Sequence, residues 1–305
     1  MTIDRDFSGG NIRVLGIEGD TVRVENELRD TTGDWFYWAF RVKGAAGRTL
    51  TFDFGEKAWV GRWGAAVSHD GYDWAWGGKA SPDFRRFSYA FGPDEDTAYF
   101  CHDIHYSPAR FEREAREQGW RLRVLTVSEQ GRAVPYVRLG GGKRTILLTS
   151  RHHACESTGT YVLEGFLREF ERRPLPGYSL IAVPFMDMDG VANGDQGKNR
   201  RPHDHDMDYG VERSLYASVR AVRTLAAWEQ VDYFFDLHAP WHISDAGRPI
   251  GPLNANDCTF IVRKTEENSG KLIEFSRIFE AETADNPVRI SSSPRTKTFA
   301  ELWMS

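Results

Sequence analysis

The hydrophobic pattern changes its period after roughly the first 120 residues, and this change limits the folds open to the chain. Before it, short segments such as Val22–Glu25 alternate apolar and polar residues between glycine-rich turns, which is typical of antiparallel strands in a sandwich. After it, apolar strand-like runs alternate with helical spacing, which predicts an α/β sheet, largely parallel and covered on both faces. The sequence therefore predicts an antiparallel β-sandwich domain over residues 1–125 and a mixed, largely parallel α/β domain over residues 126–305.

Local signals place the individual elements. Ser107 as N-cap and Pro108 at the first helical position predict a helix that ends near Gly119. The other predicted strands are 121–128, 134–139, 145–149, 180–183, 231–237, 259–262 and 296–302. The other predicted helices are 161–171, 212–228 and 266–282, with a long polar loop over 187–210.

Composition excludes several classes of protein. The 305 residues are 40% hydrophobic and 27% charged, which excludes disordered and low-complexity chains. A net charge of −5 gives no global positive field to hold nucleic acid or anionic lipid. The N-terminus carries charges where a signal peptide has its apolar run, and no run of 18 apolar residues occurs. We therefore expect a cytoplasmic protein that binds neither nucleic acid nor membrane.

Polar residues follow two of the predicted strands directly. The first strand leads into His153 and Glu156, whose three-residue offset on a tight turn can bring an imidazole and a carboxylate onto one ion. The strand 231–237 leads into His238, which would complete a set of two histidines and one carboxylate and leave a position for water, as catalytic zinc requires. In such sheets, ligands bind beyond the carboxyl ends of strands. The strand ends are therefore the predicted site.

Neighbouring residues leave alternatives open. Asp236 lies on the same face of its strand as His238 and is a candidate partner for that imidazole. His152 points the other way and is expected to be buried or hydrogen-bonded. His242 is an alternative ligand at an HxxxH spacing, although Pro240 disfavours the helix that this spacing needs.

Five segments together resemble the zinc metallocarboxypeptidase family, and within it the cytosolic carboxypeptidase branch, whose members carry an N-terminal β-sandwich. In the α/β region they are Arg151–Ser157, Val183–Gly190 and Asp236–His238. In the sandwich region they are Trp35–Val42 and Ala98–Ser107. The resemblance extends over nearly the whole chain, and the order of these segments makes it specific.

The resemblance implies one Zn²⁺ per chain, held by His153, Glu156 and His238. It also implies a glutamate near the C-terminus as the general base that takes a proton from the attacking water, and Glu301 fits that position. An arginine normally polarises the scissile carbonyl, and Arg200 or Arg201 is the candidate. The expected substrate is the C-terminus of a peptide or protein.

The sequence departs from the family where the substrate's terminal carboxylate is bound. The family's Asn-Arg pair appears here as Asp206 and Met207, which cannot form a bidentate cationic grip on a carboxylate. Arg200, Arg201 or Lys198 takes over this contact, or the substrate has no free carboxylate there. Beside the carboxypeptidase hypothesis we therefore keep two others, an amidase or deacylase acting on a small acylated amino acid, and a catalytically degenerate binding protein.

Three further features have plainer interpretations. The cysteines, an odd number without a CxxC pair, are expected to be reduced, and Cys155 to fill space rather than act as a nucleophile. The tryptophans of the first domain are expected to pack in its core. The run His203–Asp208 is expected to be a polar active-site loop, because Met207 stands where a second-metal pattern needs an aspartate.

Overall fold

Two five-stranded sheets account for the strands of the first 101 residues. The structure is a computed structural model and describes residues 1–61, 63–240, 259–263, 273–275, 277, 278, 281 and 288–292. The strands in chain order are β1 (Thr2–Asp4), β2 (Arg13–Glu18), β3 (Thr21–Glu25), β4 (Ala39–Lys43), β5 (Thr49–Asp53), β6 (Ala66–Ser68), β7 (Ala75–Trp76), β8 (Lys79–Ala80), β9 (Arg86–Ala90) and β10 (Thr97–Cys101). One sheet has the order β1-β4-β10-β6-β7 and the other β2-β3-β5-β9-β8.

Strand pairing in this region differs in one place from the antiparallel prediction. All pairs are antiparallel except β3 with β5, where Thr21 pairs with Thr51 and Arg23 with Asp53 in parallel register. Between β3 and β5 the chain passes through β4, which belongs to the other sheet. The chain can therefore re-enter the sheet of β3 with β5 running in the same direction as β3.

Aromatic side chains from both sheets pack against one another. Phe40 and Phe100 come from one sheet, Phe52 from the other, and the Phe52 ring centroid lies 4.9 Å and 5.4 Å from theirs. The prediction that tryptophans pack in this core holds for Trp38, which is fully buried. It does not hold for Trp63 and Trp76, which are 61% and 39% exposed, Trp63 outside the strands and Trp76 on the edge strand β7.

Helix α1 (Pro108–Gln118) begins and ends where its cap residues predict. The Ser107 hydroxyl accepts a hydrogen bond from the amide of Arg110, and Gly119 terminates the helix at φ 73°. Its buried face contributes Phe111 and Ala115 to a core formed with strands and helices that follow it in the chain. The helix therefore packs with the chain that follows it.

A third five-stranded sheet contains the predicted strand ends. Its strands are β11 (Arg123–Val127), β12 (Ala133–Gly140), β13 (Arg144–Ser150), β14 (Tyr178–Val183) and β15 (Tyr233–Leu237), in the order β11-β12-β14-β13-β15. The prediction of a mixed sheet is confirmed, but parallel pairs do not predominate among these strands. The pairs β13–β14 and β13–β15 are parallel, whereas β11–β12 and β12–β14 are antiparallel, because β11 and β12 form a hairpin.

Both faces of this sheet are covered, as predicted. Along β14, Leu180 and Ala182 pack on one face with helix α2 (Thr158–Arg172) and α1. Ile181 and Val183 pack on the other face with helix α4 (Ala217–Glu229). Consecutive residues of a strand point to opposite faces, so the apolar run of β14 fills two cores at once.

The remaining elements refine the predictions. The long loop contains helix α3 (Met188–Asn193) and a 3₁₀ turn at Asp208–Gly210. The predicted helix 212–228 begins only at residue 217. Strands β16 (Thr259–Arg263) and β17 (Val288–Ser292) pair in parallel, while the predicted strand 296–302 lies outside the described residues. Among the helices that the structure describes, none is long and apolar enough to cross a membrane.

Candidate metal centre

The predicted site lies where β13 and β15 end side by side. The two strands pair in parallel up to Ser150 opposite Leu237, so their carboxyl ends meet at one edge of the sheet. The next residues along each strand are the turn 151–156 and His238. The sheet register thus brings together two segments that are distant in the sequence.

The turn after β13 is held by a buried arginine. Arg151 adopts φ 63°, which turns the chain sharply, and its side chain is almost completely buried. The guanidinium donates hydrogen bonds to the carbonyls of Ala154 at 2.8 Å and Tyr106 at 3.1 Å. The amide of Glu156 closes the turn on the carbonyl of His153 at 3.2 Å.

Three ligand atoms converge at this edge. His153 Nδ1 and His238 Nδ1 are 3.2 Å apart, and both face Glu156 Oε2, at 3.2 Å and 2.7 Å. Neighbouring ligands on a tetrahedral zinc ion lie about 3.3 Å apart for bonds of about 2.0–2.1 Å. The spacing and the donor set of two imidazoles and a carboxylate therefore fit a single zinc ion.

Two other groups in the described residues could also hold an ion. They are His152 with Asp236 and His238, and His153 with Asp204 and Asp206. Both share a histidine with the first group, through the opposite ring nitrogen. They surround the central three residues and are best described as their outer partners.

Asp236 links the strand end to two imidazoles. Its carboxylate accepts from His238 Nε2 at 2.8 Å and faces His152 Nδ1 at 2.8 Å, while Thr149 donates to it from the neighbouring strand. A partner on Nε2 leaves Nδ1 of His238 free to bind a metal. His152 is fully buried, and its other nitrogen faces the Tyr209 hydroxyl at 2.8 Å. Both expectations for Asp236 and His152 are confirmed.

His153 has acidic neighbours on its far side. Its Nε2 lies 3.3 Å from Asp206 and 3.9 Å from Asp204. Burial opposes ionisation of Asp206, but His153 and the other imidazoles hold the pKa of its carboxyl well below the usual range. The predicted substrate-binding residue Asp206 is therefore an anion beside a candidate metal ligand.

The electrostatics of the site keep Glu156 ionised and favour positive charge on His238. Burial alone would raise the pKa of Glu156, yet Lys198 and the two imidazoles hold it well below its ordinary value. Burial likewise opposes protonation of His238, but Asp236 and Glu156 raise its pKa well above the usual range. Glu156 is therefore an anion, the form in which a carboxylate binds a metal, while the raised pKa of His238 reports the negative charge of Asp236 and Glu156 around that imidazole.

The remaining predicted residues lie farther out or outside the described part of the chain. The Arg200 guanidinium bonds three carboxylates, with Nε 3.0 Å from Asp30 and the two terminal nitrogens 2.7 Å from Asp187 and 3.3 Å from Asp195. Arg201 is exposed, and both arginines line a cavity of about 520 Å³.

Met207 precedes the 3₁₀ turn at Asp208–Gly210. Glu301 and His242 lie outside the described residues. Of the cysteines, Cys101 and Cys155 are buried free thiols, as expected.

Sequence reasoning did not assign Lys198 to Glu156. The lysine is 7% exposed, and its Nζ lies 2.5 Å from Glu156 Oε1. Gly194 and Gly197, both at positive φ, bracket the tight loop that leads to Lys198. These glycines were the one feature of the sequence that could have indicated a close approach of this loop.

Solved structures identify the fold. The chain superposes on a metallo-carboxypeptidase from Burkholderia cenocepacia with a TM-score of 0.74 and 19% identity, covering 96% of this chain and 83% of that one. The chain has the metallo-carboxypeptidase fold. A metallo-carboxypeptidase from Pseudomonas aeruginosa, solved with (2-guanidinoethylmercapto)succinic acid, matches with a TM-score of 0.73 and 23% identity, covering 98% and 83%.

Sequence comparisons match a smaller part of the chain. An uncharacterized protein of Zymomonas mobilis is 29% identical over 180 residues, covering 55% of this chain and 46% of that protein. Cytosolic carboxypeptidase 2 of Danio rerio is 26% identical over 177 residues, covering 48% of this chain and 24% of that protein. This metallo-carboxypeptidase-like chain thus spans between a quarter and a half of these relatives. No model of a known protein family matches it.

Proposed function

We propose that the chain is a zinc-dependent carboxypeptidase that removes C-terminal residues from a peptide or protein. One observation carries the proposal, the convergence of His153 Nδ1, Glu156 Oε2 and His238 Nδ1 within 3.2 Å at adjacent strand ends of a metallo-carboxypeptidase fold. When bound, Zn²⁺ supplies Lewis-acid chemistry, which polarises a carbonyl and makes water more acidic.

The described residues would prepare the site for this chemistry. Asp236 keeps a proton on His238 Nε2, so that Nδ1 offers its lone pair. Asp206 faces His153 Nε2 in the same way. Within this proposal Glu301 is the general base, Arg200 or Arg201 polarises the carbonyl, and Asp206 and Met207 contact the substrate.

We also propose one Zn²⁺ per chain, a cytoplasmic location and two domains. The cytoplasmic location is supported by the likeness to a carboxypeptidase whose name describes it as cytosolic. For the domains, the support is that the strands of residues 2–101 pair among themselves and those of residues 123–237 do likewise. The aromatic contacts between the first two sheets support a β-sandwich in the first domain, which would cover residues 1–125 and include helix α1 packed against the second domain of residues 126–305.

The first experiment measures metal content and turnover together. We expect about one zinc per chain after dialysis and reconstitution, and loss of that zinc in His153→Ala, because one of three ligands is removed. His69→Ala is the matched control, since that histidine is 65% exposed and pairs with Glu95 away from the site. Full zinc retention in His153→Ala would refute the ligand assignment.

Substrate chemistry is tested with peptides that carry free or amidated C-termini. A carboxypeptidase should cleave the first set and lose the second. Cleavage of acylated amino acids instead would favour an amidase or deacylase. No turnover of any set by the zinc-loaded protein would favour a binding protein that keeps the fold.

A further inference from the structure

A buried lysine connects the N-terminal region to the candidate metal centre. The Lys198 ammonium lies 4.8 Å from the centroid of the Trp35 ring and 2.5 Å from Glu156 Oε1. Such a cation over an aromatic face, in a site closed to water, is held electrostatically from both sides. The lysine therefore has one defined partner on the metal side and one on the N-terminal side.

The loop that carries Lys198 is fixed by N-terminal residues before and after it. Before it, the Asp30 carboxylate accepts the amides of Gln196 at 3.0 Å and Gly197 at 2.8 Å. After it, the carbonyl of Asn199 accepts the amide of Thr32 at 3.1 Å. The Asn199 side chain in turn accepts the Trp35 indole N–H at 2.8 Å. Lys198 thus sits between two anchored residues.

On its other side the same loop presses against the turn with the candidate ligands. The Cys155 amide donates to the Gln196 carbonyl at 3.2 Å. A Cβ on Gly197 would lie 2.2 Å from the Ala154 nitrogen, so only glycine allows this approach, and its φ of 74° also favours glycine. The loop is therefore packed between the N-terminal region and the turn 153–156.

The two oxygens of Glu156 consequently face different partners. Oε2 faces Nδ1 of His153 and Nδ1 of His238, whereas Oε1 faces Lys198. A carboxylate can bind a metal through one oxygen or through both. The ammonium competes with a metal for Oε1, which favours metal binding through Oε2.

We propose that Lys198 is a positioning residue that occupies Oε1 of Glu156, so that this carboxylate binds the metal through Oε2 alone. The inference rests on the proposed zinc site. A carboxylate bound through one oxygen leaves more of the coordination sphere for water and substrate, which a catalytic site needs. Trp35 and Asp30 hold the lysine in place, and through it the N-terminal region sets how the metal is bound.

The test uses Co²⁺ as a spectroscopic probe in the full-length protein. In Lys198→Met, Glu156 can bind through both oxygens, so the coordination number rises by one and the visible absorption per bound Co²⁺ loses intensity. Removing a nearby positive charge should also tighten zinc binding, because the ammonium repels the metal ion. Lys198→Arg, which keeps a cationic donor, should retain the wild-type spectrum.

A matched control is available in the same region. Lys57 lies 6.0 Å from the Trp59 centroid and pairs with Asp34, the same combination of ring and carboxylate, but it is 46% exposed and touches no candidate ligand. Lys57→Met should leave the spectrum and the zinc affinity unchanged. Trp35→Leu keeps the lysine but removes the ring that supports it, so its Co²⁺ absorption should fall as in Lys198→Met but by a smaller amount. This variant provides the test if Lys198→Met does not fold.

The outcomes separate this inference from the proposed function. Wild-type protein that binds Co²⁺, together with an unchanged spectrum in Lys198→Met and Trp35→Leu, overturns the role of Lys198 and leaves the zinc site intact. Weaker zinc binding in Lys198→Met with an unchanged spectrum would assign the lysine to folding alone. That result would also overturn its proposed role at Glu156. Wild-type protein that binds neither metal overturns both proposals.

Discussion

The core between the first two sheets is built from aromatic rings, whereas the edge of the third sheet buries ionised side chains. Phe52, Phe87 and Phe100 are completely buried and contact one another at 4.8–5.5 Å between centroids. At the edge of the third sheet, Glu156 and Arg151 are each 1% exposed and depend on specific polar partners. The first region gains stability from area removed from water, and the second from each charge having its partner.

This difference predicts two kinds of response to change. Loss of a ring should lower the stability of the whole chain and leave the chemistry of any remaining folded protein intact. Loss of a partner at the sheet edge should change metal affinity more than stability. The regions meet where Asp30 and Trp35 contact the 196–199 loop. Mutations can therefore test whether loss of stability and loss of metal affinity stay confined to their own regions.

The largest expected effect is that of Phe100→Ala in the aromatic core. Its ring contacts five others, and truncation should cost about 4 kcal/mol of unfolding free energy, through lost transfer energy and the cavity left behind. Urea unfolding gives the value, and zinc affinity measured below the transition should not change. Phe166→Ala, at a 40% exposed ring, is the control. A large loss of zinc affinity in Phe100→Ala would break the comparison.

His105, a buried histidine between the two regions, should make the unfolding free energy fall by about 3 kcal/mol in acid. Burial, with Arg151 nearby, lowers the pKa of His105 from 6.5 to about 3. The folded state therefore resists a proton that the unfolded chain accepts, so its stability is complete above pH 6.5 and falls as the pH drops towards 3. Between pH 7 and pH 4 the wild type should lose about 3 kcal/mol that His105→Gln does not lose.

Unfolding curves in urea at several pH values test this slope. His69→Gln, at a 65% exposed position, should follow the wild-type slope. The environment of His105 explains the expected effect, because its Nδ1 faces the Tyr37 hydroxyl at 3.2 Å and its Nε2 has no hydrogen-bond partner among the described residues. Parallel slopes for wild type and His105→Gln would contradict the prediction.

Features encoded by neighbouring residues were predictable from the sequence. The caps Ser107 and Gly119 bound helix α1 as expected, because each acts within one turn of the chain. The convergence of His153, Glu156 and His238 was also predictable, since parallel strands must end at the same edge of a sheet.

Features that depend on distant partners were not predictable. Helix α3 is only six residues long, too short for a periodic signal, and Asp187 caps it through the Gly190 amide. Helix α4 begins late because the amides of Leu215 and Tyr216 bond the Asp208 carboxylate instead of a helical turn. Lys198 could not be assigned to Glu156, since this contact exists only once the N-terminal region is in place.

The smallest of the effects predicted from this comparison concerns Asp236, the outer partner of His238. Asp236→Asn removes the charge that holds the proton on His238 Nε2 at 2.8 Å, so zinc affinity should fall about 10- to 100-fold while the unfolding free energy changes little. Competition with a chelator of known affinity measures the change. Asp232→Asn is the matched control, because that aspartate lies just before the same strand and accepts the Thr145 amide at the far end of the sheet.

The result sharpens the comparison between the two regions whichever way it falls. A lower zinc affinity with unchanged stability means that the carboxylate serves the metal site, as the pairing with His238 implies. A loss of stability with unchanged affinity means that Asp236 is needed chiefly to balance buried His152, which shares the carboxylate at 2.8 Å. The sheet edge would then resemble the aromatic core in using its buried groups for folding.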